Sequence, residues 1–115
     1  MTPFDVVLVP FPFTDLGSTK RRPCLVLADA RPVGLPHHFI VAMMTSHLER
    51  RFPHDVQLEA FAEAGLPKPT LVRLFKVVTL DDTVTPRPLG RLAAIDRGRV
   101  AAEVGRMLAG ITSAS

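Results

Sequence analysis

The sequence predicts an α+β domain in which a small, strongly bent antiparallel sheet precedes a single helix. Three observations support this fold class. Short apolar runs of strand length, most of them next to proline or glycine, fill the first ninety residues. The apolar period then changes to that of a helix near the carboxyl terminus. The length of 115 residues allows one domain, residues 1–115, with one modest core, and we find no internal repeat.

The first two strands are predicted at residues 6–9 and 24–27, where mainly β-branched residues stand next to prolines. Residues 10–23 join them as a polar loop that is too long for a tight hairpin turn and contains three consecutive cations near its end. Because proline disfavours helical geometry in the residue before it, Pro23 should hold Arg22 in extended backbone where the loop meets the strand. The loop therefore ends in a fixed positive charge that suits a phosphate.

Five later segments are predicted as strands, namely residues 39–44, 55–58, 70–73, 77–80 and 89–92. The first of them is apolar throughout, which is typical of a strand buried on both faces. The second alternates polar and apolar positions, which indicates a half-exposed strand. Residues 60–64 are predicted as one helical turn before Gly65, and Asp81 and Asp82 are predicted to form a turn.

The carboxyl-terminal helix is predicted from one apolar stripe at helical spacing, formed by Val100, Val104, Met107, Leu108 and Ile111. Asp96 is expected to cap its first turn, with Ile95 and Val100 as a hydrophobic staple, and Gly110 is expected to end it. The stripe would cover the sheet or a dimer interface. We assign this helix no chemistry.

The composition narrows the class of protein. The net charge is +3, the isoelectric point is near 9.8, and arginine outnumbers lysine, which permits an anionic partner without establishing one. Trp and Tyr are absent, so only phenylalanine and histidine could stack on bases. No apolar run approaches the ~20 residues that cross a bilayer, and the amino terminus does not resemble a signal peptide. We therefore expect a cytoplasmic protein that does not bind membranes.

The residues that could bind a metal do not form a pattern. The single cysteine, Cys24, cannot form an internal disulfide and is expected to be a small buried side chain. His37, His38 and His54 lack a convergent set of ligands. No glycine-rich nucleotide-binding loop is present. The sequence predicts no metal site and no other cofactor.

Several segments, taken in order, resemble PemK/MazF-type toxins of bacterial toxin–antitoxin systems. The opening is similar in Pro-Phe-Pro-Phe-Thr-Asp at residues 10–15 and Lys-Arg-Arg-Pro at residues 20–23. Four later segments keep the family's order and spacing: residues 39–46 ending in Met-Thr-Ser, residues 64–70 followed by Val72-Arg73, residues 79–81, and Leu-Gly-Arg-Leu at residues 89–92. The resemblance covers nearly the whole chain, and its specificity lies in the ordered combination.

The resemblance implies a small SH3-like barrel of strongly bent antiparallel strands that forms a homodimer. It also implies metal-independent, sequence-specific cleavage of single-stranded RNA. In that reaction the ribose 2′-hydroxyl attacks the adjacent phosphate and leaves 2′,3′-cyclic phosphate and 5′-hydroxyl ends. The expected partner is a cognate antitoxin with a flexible, acidic tail that blocks the RNA groove.

The family's motifs place candidate site residues on this sequence. The Arg-Pro motif assigns the essential arginine to Arg22, and the family's catalytic threonine aligns with Thr45. Arg73 resembles a second functional arginine of some members. The RNA-binding candidates are Lys20, Arg21, Ser46, Phe13 and Arg73. Without the resemblance, Arg22 would be interpreted as an ordinary surface cation and Thr45 as a β-favouring residue at a strand end. Arg73 could equally be a surface or ion-paired arginine.

One position departs from the family. Some members carry an acidic residue two positions after the arginine that corresponds to Arg73, whereas the present chain has Phe75 there. Phe75 could pack or stack while another group moves the proton. His47 is a candidate because its reference pKa of ~6.5 suits proton transfer near neutrality, although a loop histidine is often simply solvated.

Two rival functions remain open at this stage. The first is a barrel that binds RNA or an antitoxin without turnover, which the phenylalanine favours. The second is a toxin of the same fold that acts on a protein target such as gyrase. The Arg-Pro and Met-Thr-Ser motifs argue against the second rival.

Overall fold

A computed structural model describes residues 1–10 and 20–113, and it places one curved sheet and one helix in them. The elements in chain order are β1 (Asp5–Pro10), β2 (Arg21–Ala30), β3 (His38–Thr45), β4 (Asp55–Gln57), β5 (Leu71–Asp81), β6 (Arg87–Arg91) and α1 (Ala94–Ser113). All pairings are antiparallel, in the order β4-β5-β3-β2-β1-β6. The predicted fold class, a strongly bent antiparallel sheet with a carboxyl-terminal helix, is confirmed. Most of the predicted polar loop, including Phe13, lies outside the described residues.

The sheet is open and strongly curved, and a β-bulge in β5 contributes to the bend. Residues 70–73 and 77–80 are predicted as two strands, but residues 71–81 form the single strand β5. Arg73 pairs with Met43 and Val77 pairs with Ala42, so one step along β3 corresponds to four residues of β5. The extra residues increase the local twist and interrupt the alternation that a flat strand would show.

Apolar side chains on the two faces of the sheet form two core clusters, because successive residues of a strand point to opposite faces. One face contributes Val6, Leu25, Ala42, Met44 and Val72 to a cluster that α1 covers through Val100. The other face carries Val7, Val9, Cys24, Val26, Phe39 and Val41. Cys24 is buried, as predicted, and burial raises the pKa of its thiol to about 12, which keeps the group protonated.

The segment after β4 approaches β6 so closely that it requires glycine. Residues 61–65 form hydrogen-bonded turns rather than the predicted helical turn. Gly65 has a positive φ of 81°, and a Cβ there would collide with the backbone carbonyl of Leu89. Glycine adopts this conformation without steric cost, so it lets the turn pack directly on the edge strand β6.

The amino end of α1 is fixed by a buried carboxylate rather than by the predicted cap. Asp96 lies inside the helix and is fully buried. Its two oxygens accept hydrogen bonds from the backbone N–H groups of Glu59 and Ala60, both at 2.9 Å. The predicted cap is therefore wrong: the helix begins at Ala94, where the Ala93 carbonyl accepts the first bonds, and Asp96 instead joins the helix to the chain that leaves β4.

The carboxyl half of α1 is less buried than the apolar stripe predicted. Val104 and Met107 pack against the core, whereas Leu108 and Ile111 are exposed. Gly110 lies within the helix, which continues to Ser113, so the predicted stop is also wrong. The dimer-interface alternative for the outer part of the stripe stays a prediction.

A second polar contact links α1 to His54, which lies just before β4, and gives a testable pH dependence. Arg106 and His54 both contact the carboxylate of Glu103, and these hydrogen bonds lower the pKa of that carboxyl below its ordinary value of 4.5. A depressed pKa contributes stability that is present above the unfolded-state pKa and is lost as pH falls through the folded-state pKa.

We expect Glu103→Gln to lower the melting temperature at pH 7 and to have progressively less effect as the pH falls from 4.5. Thermal unfolding from pH 7 to pH 2.5 checks this, with Glu63→Gln, an exposed glutamate in the turn after β4, as the matched control. An effect of Glu103→Gln that stays constant over the whole range would contradict the proposed contribution of the charge.

Candidate functional site

The ends of β2 and β3 bring two predicted residues together. Cys24 pairs with Met43, and their side chains lie on the same face of the sheet. Two further steps along both strands lead to Arg22 and Thr45, which the alternation of side chains places on that same face. The strands therefore bring the predicted guanidinium and hydroxyl to one edge of one face.

Thr45 ends β3 with its side chain held in place. The residue is 9% exposed, and its Oγ1 accepts a hydrogen bond of 3.1 Å from the backbone N–H of His47. The amide supplies the proton of that bond. The hydroxyl therefore keeps its own hydrogen, which it can donate to a phosphate oxygen.

Arg22 lies inside β2, directly opposite Val9 of β1. Its side chain is half-buried and its Nε is buried. An arginine that begins in a paired strand has less freedom than one on a loop, and its guanidinium stays charged at any working pH. The extended backbone expected from Pro23 is present here.

Arg73 is an ion-paired residue in this structure. Its Nε and Nη2 donate to the two carboxylate oxygens of Asp55 at 3.3 and 3.1 Å, and Nη2 also donates to the carbonyl of Arg50 at 2.7 Å. Its guanidinium carbon lies 4.1 Å from the centroid of the Phe52 ring. Of the two alternatives that the sequence left open for Arg73, these contacts favour the ion pair, although Nη1 makes no hydrogen bond within the described part of the chain.

The other RNA-binding candidates differ in their contacts and in their exposure to solvent. Arg21 is bound to backbone, because its Nη1 donates to the carbonyl of Thr85 at 2.6 Å and, more weakly, to that of Leu8. Lys20 is exposed and Ser46 is half-buried. The placement of Phe13 lies outside the described residues.

Phe75 has its ring stacked on the ring of His54. Phe75 is 55% exposed and lies 5.7 Å from His54, centroid to centroid, at an interplanar angle of 22°. His54 in turn contacts Glu103 of α1. His47 is exposed, with Nδ1 3.6 Å from Glu49, so its ring is accessible to a ligand.

Two surface clefts lie away from the Arg22–Thr45 pair. One of about 480 Å³ lies between β4 and α1, and one of about 580 Å³ lies over β1 and β6. Within residues 1–10 and 20–113, no three side chains of His, Cys, Asp or Glu come together to hold a metal ion. No helix in the same ranges is long and apolar enough to cross a membrane.

A strongly curved antiparallel sheet followed by one terminal helix defines a small α+β domain. Residues 2–108 match the family model described as the PemK-like, MazF-like toxin of type II toxin–antitoxin systems, and the chain belongs to this family. A comparison with curated proteins found no match.

Two solved structures show the same fold. MazF (Form-I) from Deinococcus radiodurans is 22% identical, with a TM-score of 0.66, over 95% of this chain and 96% of that one. The Mycobacterium tuberculosis toxin MazF-mt6 is 23% identical, with a TM-score of 0.65, over 91% of this chain and 96% of that one. The chain is thus a toxin of the PemK/MazF family with the family's fold.

Sequence reasoning missed two residues beside the site. Asp55 was assigned only to a half-exposed strand, yet its carboxylate is 3% exposed and binds Arg73. Phe52 was not singled out at all, although its ring lies on the Arg73 guanidinium. The sequence contains little indication of the Asp55–Arg73 ion pair, because the two residues are 18 positions apart in the chain. Only the register of β4 against β5 brings them together.

Proposed function

We propose that this toxin is a metal-independent endoribonuclease that cleaves single-stranded RNA at specific sequences. The 2′-oxygen forms a bond to phosphorus, the bond from phosphorus to the 5′-oxygen breaks, and the products carry 2′,3′-cyclic phosphate and 5′-hydroxyl ends. One proton leaves the 2′-hydroxyl and one reaches the 5′-oxygen, so the reaction needs no metal and no co-reactant. Stabilising the extra negative charge of the phosphorane is the largest task for the protein.

The observation that supports this proposal most is the position of Arg22 and Thr45 at neighbouring strand ends on one face. Arg22 supplies two or more N–H donors to the phosphorane oxygens in a planar fork. Thr45, held by the amide of His47, donates its hydroxyl hydrogen to another of these oxygens. Both groups are fixed by strands, so little reorganisation is needed as charge develops.

We assign the proton transfers to His47. Its backbone is joined to Thr45 by a hydrogen bond, and its ring is exposed to solvent. A neutral imidazole can accept the 2′-hydroxyl proton, and an imidazolium can protonate the leaving oxygen. Phe75 cannot serve in this role because it has no titratable group.

The remaining parts of the proposal concern RNA binding and partners. Lys20, Arg21, Ser46, Phe13 and Arg73 contact the RNA around the scissile linkage. The toxin acts in the cytoplasm as a homodimer, and a cognate antitoxin with a flexible acidic tail competes with RNA for the basic face. The exposed Leu108 and Ile111 of α1 are available for contact between subunits.

Incubation of the purified protein with RNA of mixed sequence in excess EDTA tests the reaction. We expect discrete fragments with cyclic phosphate and 5′-hydroxyl ends, identified by mass spectrometry, at a rate equal to that without EDTA. RNA that is bound but not cut would favour the non-catalytic alternative, for which the phenylalanine at position 75 is the supporting observation. Cleavage that stops in EDTA would contradict the metal-free mechanism.

A further inference from the structure

Phe52 is an exposed aromatic residue on the segment that follows the proposed catalytic threonine. Its side chain is 39% exposed even though the chain has buried core positions nearby. The Arg73 guanidinium carbon lies over the ring at 4.1 Å from its centroid, and the Lys76 ammonium is 5.3 Å from the same centroid. The buried Arg73 therefore covers part of the ring, and the part that stays exposed has Lys76 as its neighbouring cation.

A buried carboxylate fixes this arrangement. Asp55 binds the Nε and Nη2 of Arg73 through its two oxygens, and one of these oxygens also accepts the backbone N–H of Phe52 at 2.8 Å. The Phe52 carbonyl accepts the N–H of Asp55 in return. The position of the ring relative to the guanidinium is thus set by one side chain.

The sheet places this unit beside the proposed reaction centre. Arg73 pairs with Met43, and Thr45 lies two residues farther along β3, opposite Leu71. Strand spacing and rise put the α-carbons of Arg73 and Thr45 about 8 Å apart. Both side chains lie on the face that carries Arg22, because Met43 also pairs with Cys24.

An aromatic ring flanked by cations next to a cleavage centre matches the chemistry of single-stranded nucleic acid. A base can stack on the exposed part of the ring while the Lys76 ammonium meets a neighbouring phosphate. We infer that Phe52 stacks on a nucleobase adjacent to the scissile linkage, and that Asp55 is the positioning residue of this subsite. The inference rests on RNA being the substrate, as proposed above.

The competing explanation is that Phe52 only shields the Asp55–Arg73 pair from water. Phe52→Leu separates the two, because leucine keeps an apolar cover but cannot stack like an aromatic ring. Phe52→Trp keeps both properties. Phe75→Leu is the matched control, since Phe75 is also an exposed phenylalanine, but it stacks on His54.

The test measures binding in the Arg22→Ala background, in which cleavage does not interfere. The probe is a pool of random 12-nucleotide RNAs with 2-aminopurine in place of adenine, whose fluorescence is quenched by stacking. We expect Phe52→Leu to bind roughly 10-fold more weakly and to lose most of the quenching, whereas Phe52→Trp and Phe75→Leu keep both. Unchanged quenching in Phe52→Leu, or an equal loss in Phe75→Leu, would overturn the inference.

A second measurement separates this subsite from the proposed reaction. In the Arg22-intact protein, Phe52→Leu and Asp55→Asn should raise KM for RNA cleavage roughly 10-fold with little change in kcat, because the subsite binds substrate without touching the reacting atoms. If the parent cleaves no RNA but the binding results hold, the proposed reaction fails and the subsite stands. If the parent cleaves RNA and these variants leave KM unchanged, the subsite is wrong and the reaction stands.

Discussion

Arg22→Ala should lower the kcat of RNA cleavage by at least about 100-fold. The estimate follows from the removal of one preorganised donor group from a site where negative charge develops, which typically costs 10²–10³-fold. The rate of fragment formation at saturating RNA measures it. Because Arg22 is half-buried at the start of β2, thermal unfolding of the variant shows whether the fold is retained.

Two further variants serve as controls for Arg22→Ala. Arg31→Ala removes the same charge from an exposed position just beyond the opposite end of β2, and we expect it to cleave as the parent does. Arg22→Lys keeps the charge but loses the planar fork, so we expect an intermediate rate. An Arg22→Ala protein that is folded and cleaves as fast as the parent would mean that another group stabilises the phosphorane.

Asp96→Ala should destabilise the fold more than any other single substitution considered. The change leaves the N–H groups of Glu59 and Ala60 without their acceptor, the fully buried Asp96 carboxylate, and removes one of the two acceptors of the Arg99 Nη1. Each donor left unsatisfied in this partly buried contact costs about 1–3 kcal/mol, so we expect a loss of about 3 kcal/mol or more in the free energy of unfolding. For a domain of this size that corresponds to a fall of roughly 10 °C or more in melting temperature.

Chemical denaturation of the variant measures this loss directly. Glu63→Ala is the control, since that carboxylate is exposed in the turn just after the two amides. We expect the control to differ from the parent by less than about 0.5 kcal/mol. A similar small effect for Asp96→Ala would show that the hydrogen bonds to the helix contribute little, and that apolar packing through Val100 holds α1 in place.

The local pattern of the sequence predicted the strands well because burial in a sheet leaves a short-range signature. The runs around Val7, Cys24 and Val41 are apolar because both faces of the sheet are buried there, and residues 6–9, 24–27 and 39–44 fall inside observed strands. The bulge in β5 left no such signature. It depends on how Arg73 and Val77 pair with β3, which is a long-range property.

The start of α1 is a second case in which a long-range contact could not be predicted from the local sequence. An aspartate before an apolar stripe is a good cap by local rules, and Asp96 was assigned accordingly. Its carboxylate instead accepts amides from residues 36 and 37 positions earlier in the chain. The role of Asp96 therefore could not be predicted from its neighbours, because its hydrogen-bond partners are set by the packing of α1 against the chain after β4.

The candidate site was predicted in part. The family motifs named Arg22 and Thr45, and the paired strands put both on one face, but their roles stay predictions. The contacts of Arg73 could not be read from the sequence, because its partner Asp55 comes from a different strand. The exposed ring of Phe52 carried no signal at all, since an isolated phenylalanine in a polar segment has no periodic pattern.

In the proposed mechanism the RNA supplies its own nucleophile while Arg22 and Thr45 stabilise the phosphorane. The most direct test is an RNA that the protein cleaves, remade with a single 2′-deoxyribose on the 5′ side of the scissile linkage. We predict that this linkage is no longer cut, that the protein still binds the RNA, and that other recognised linkages in the same molecule are cut at the normal rate. Cleavage at the deoxy position at an unchanged rate would show that another nucleophile attacks the phosphate and would contradict the mechanism.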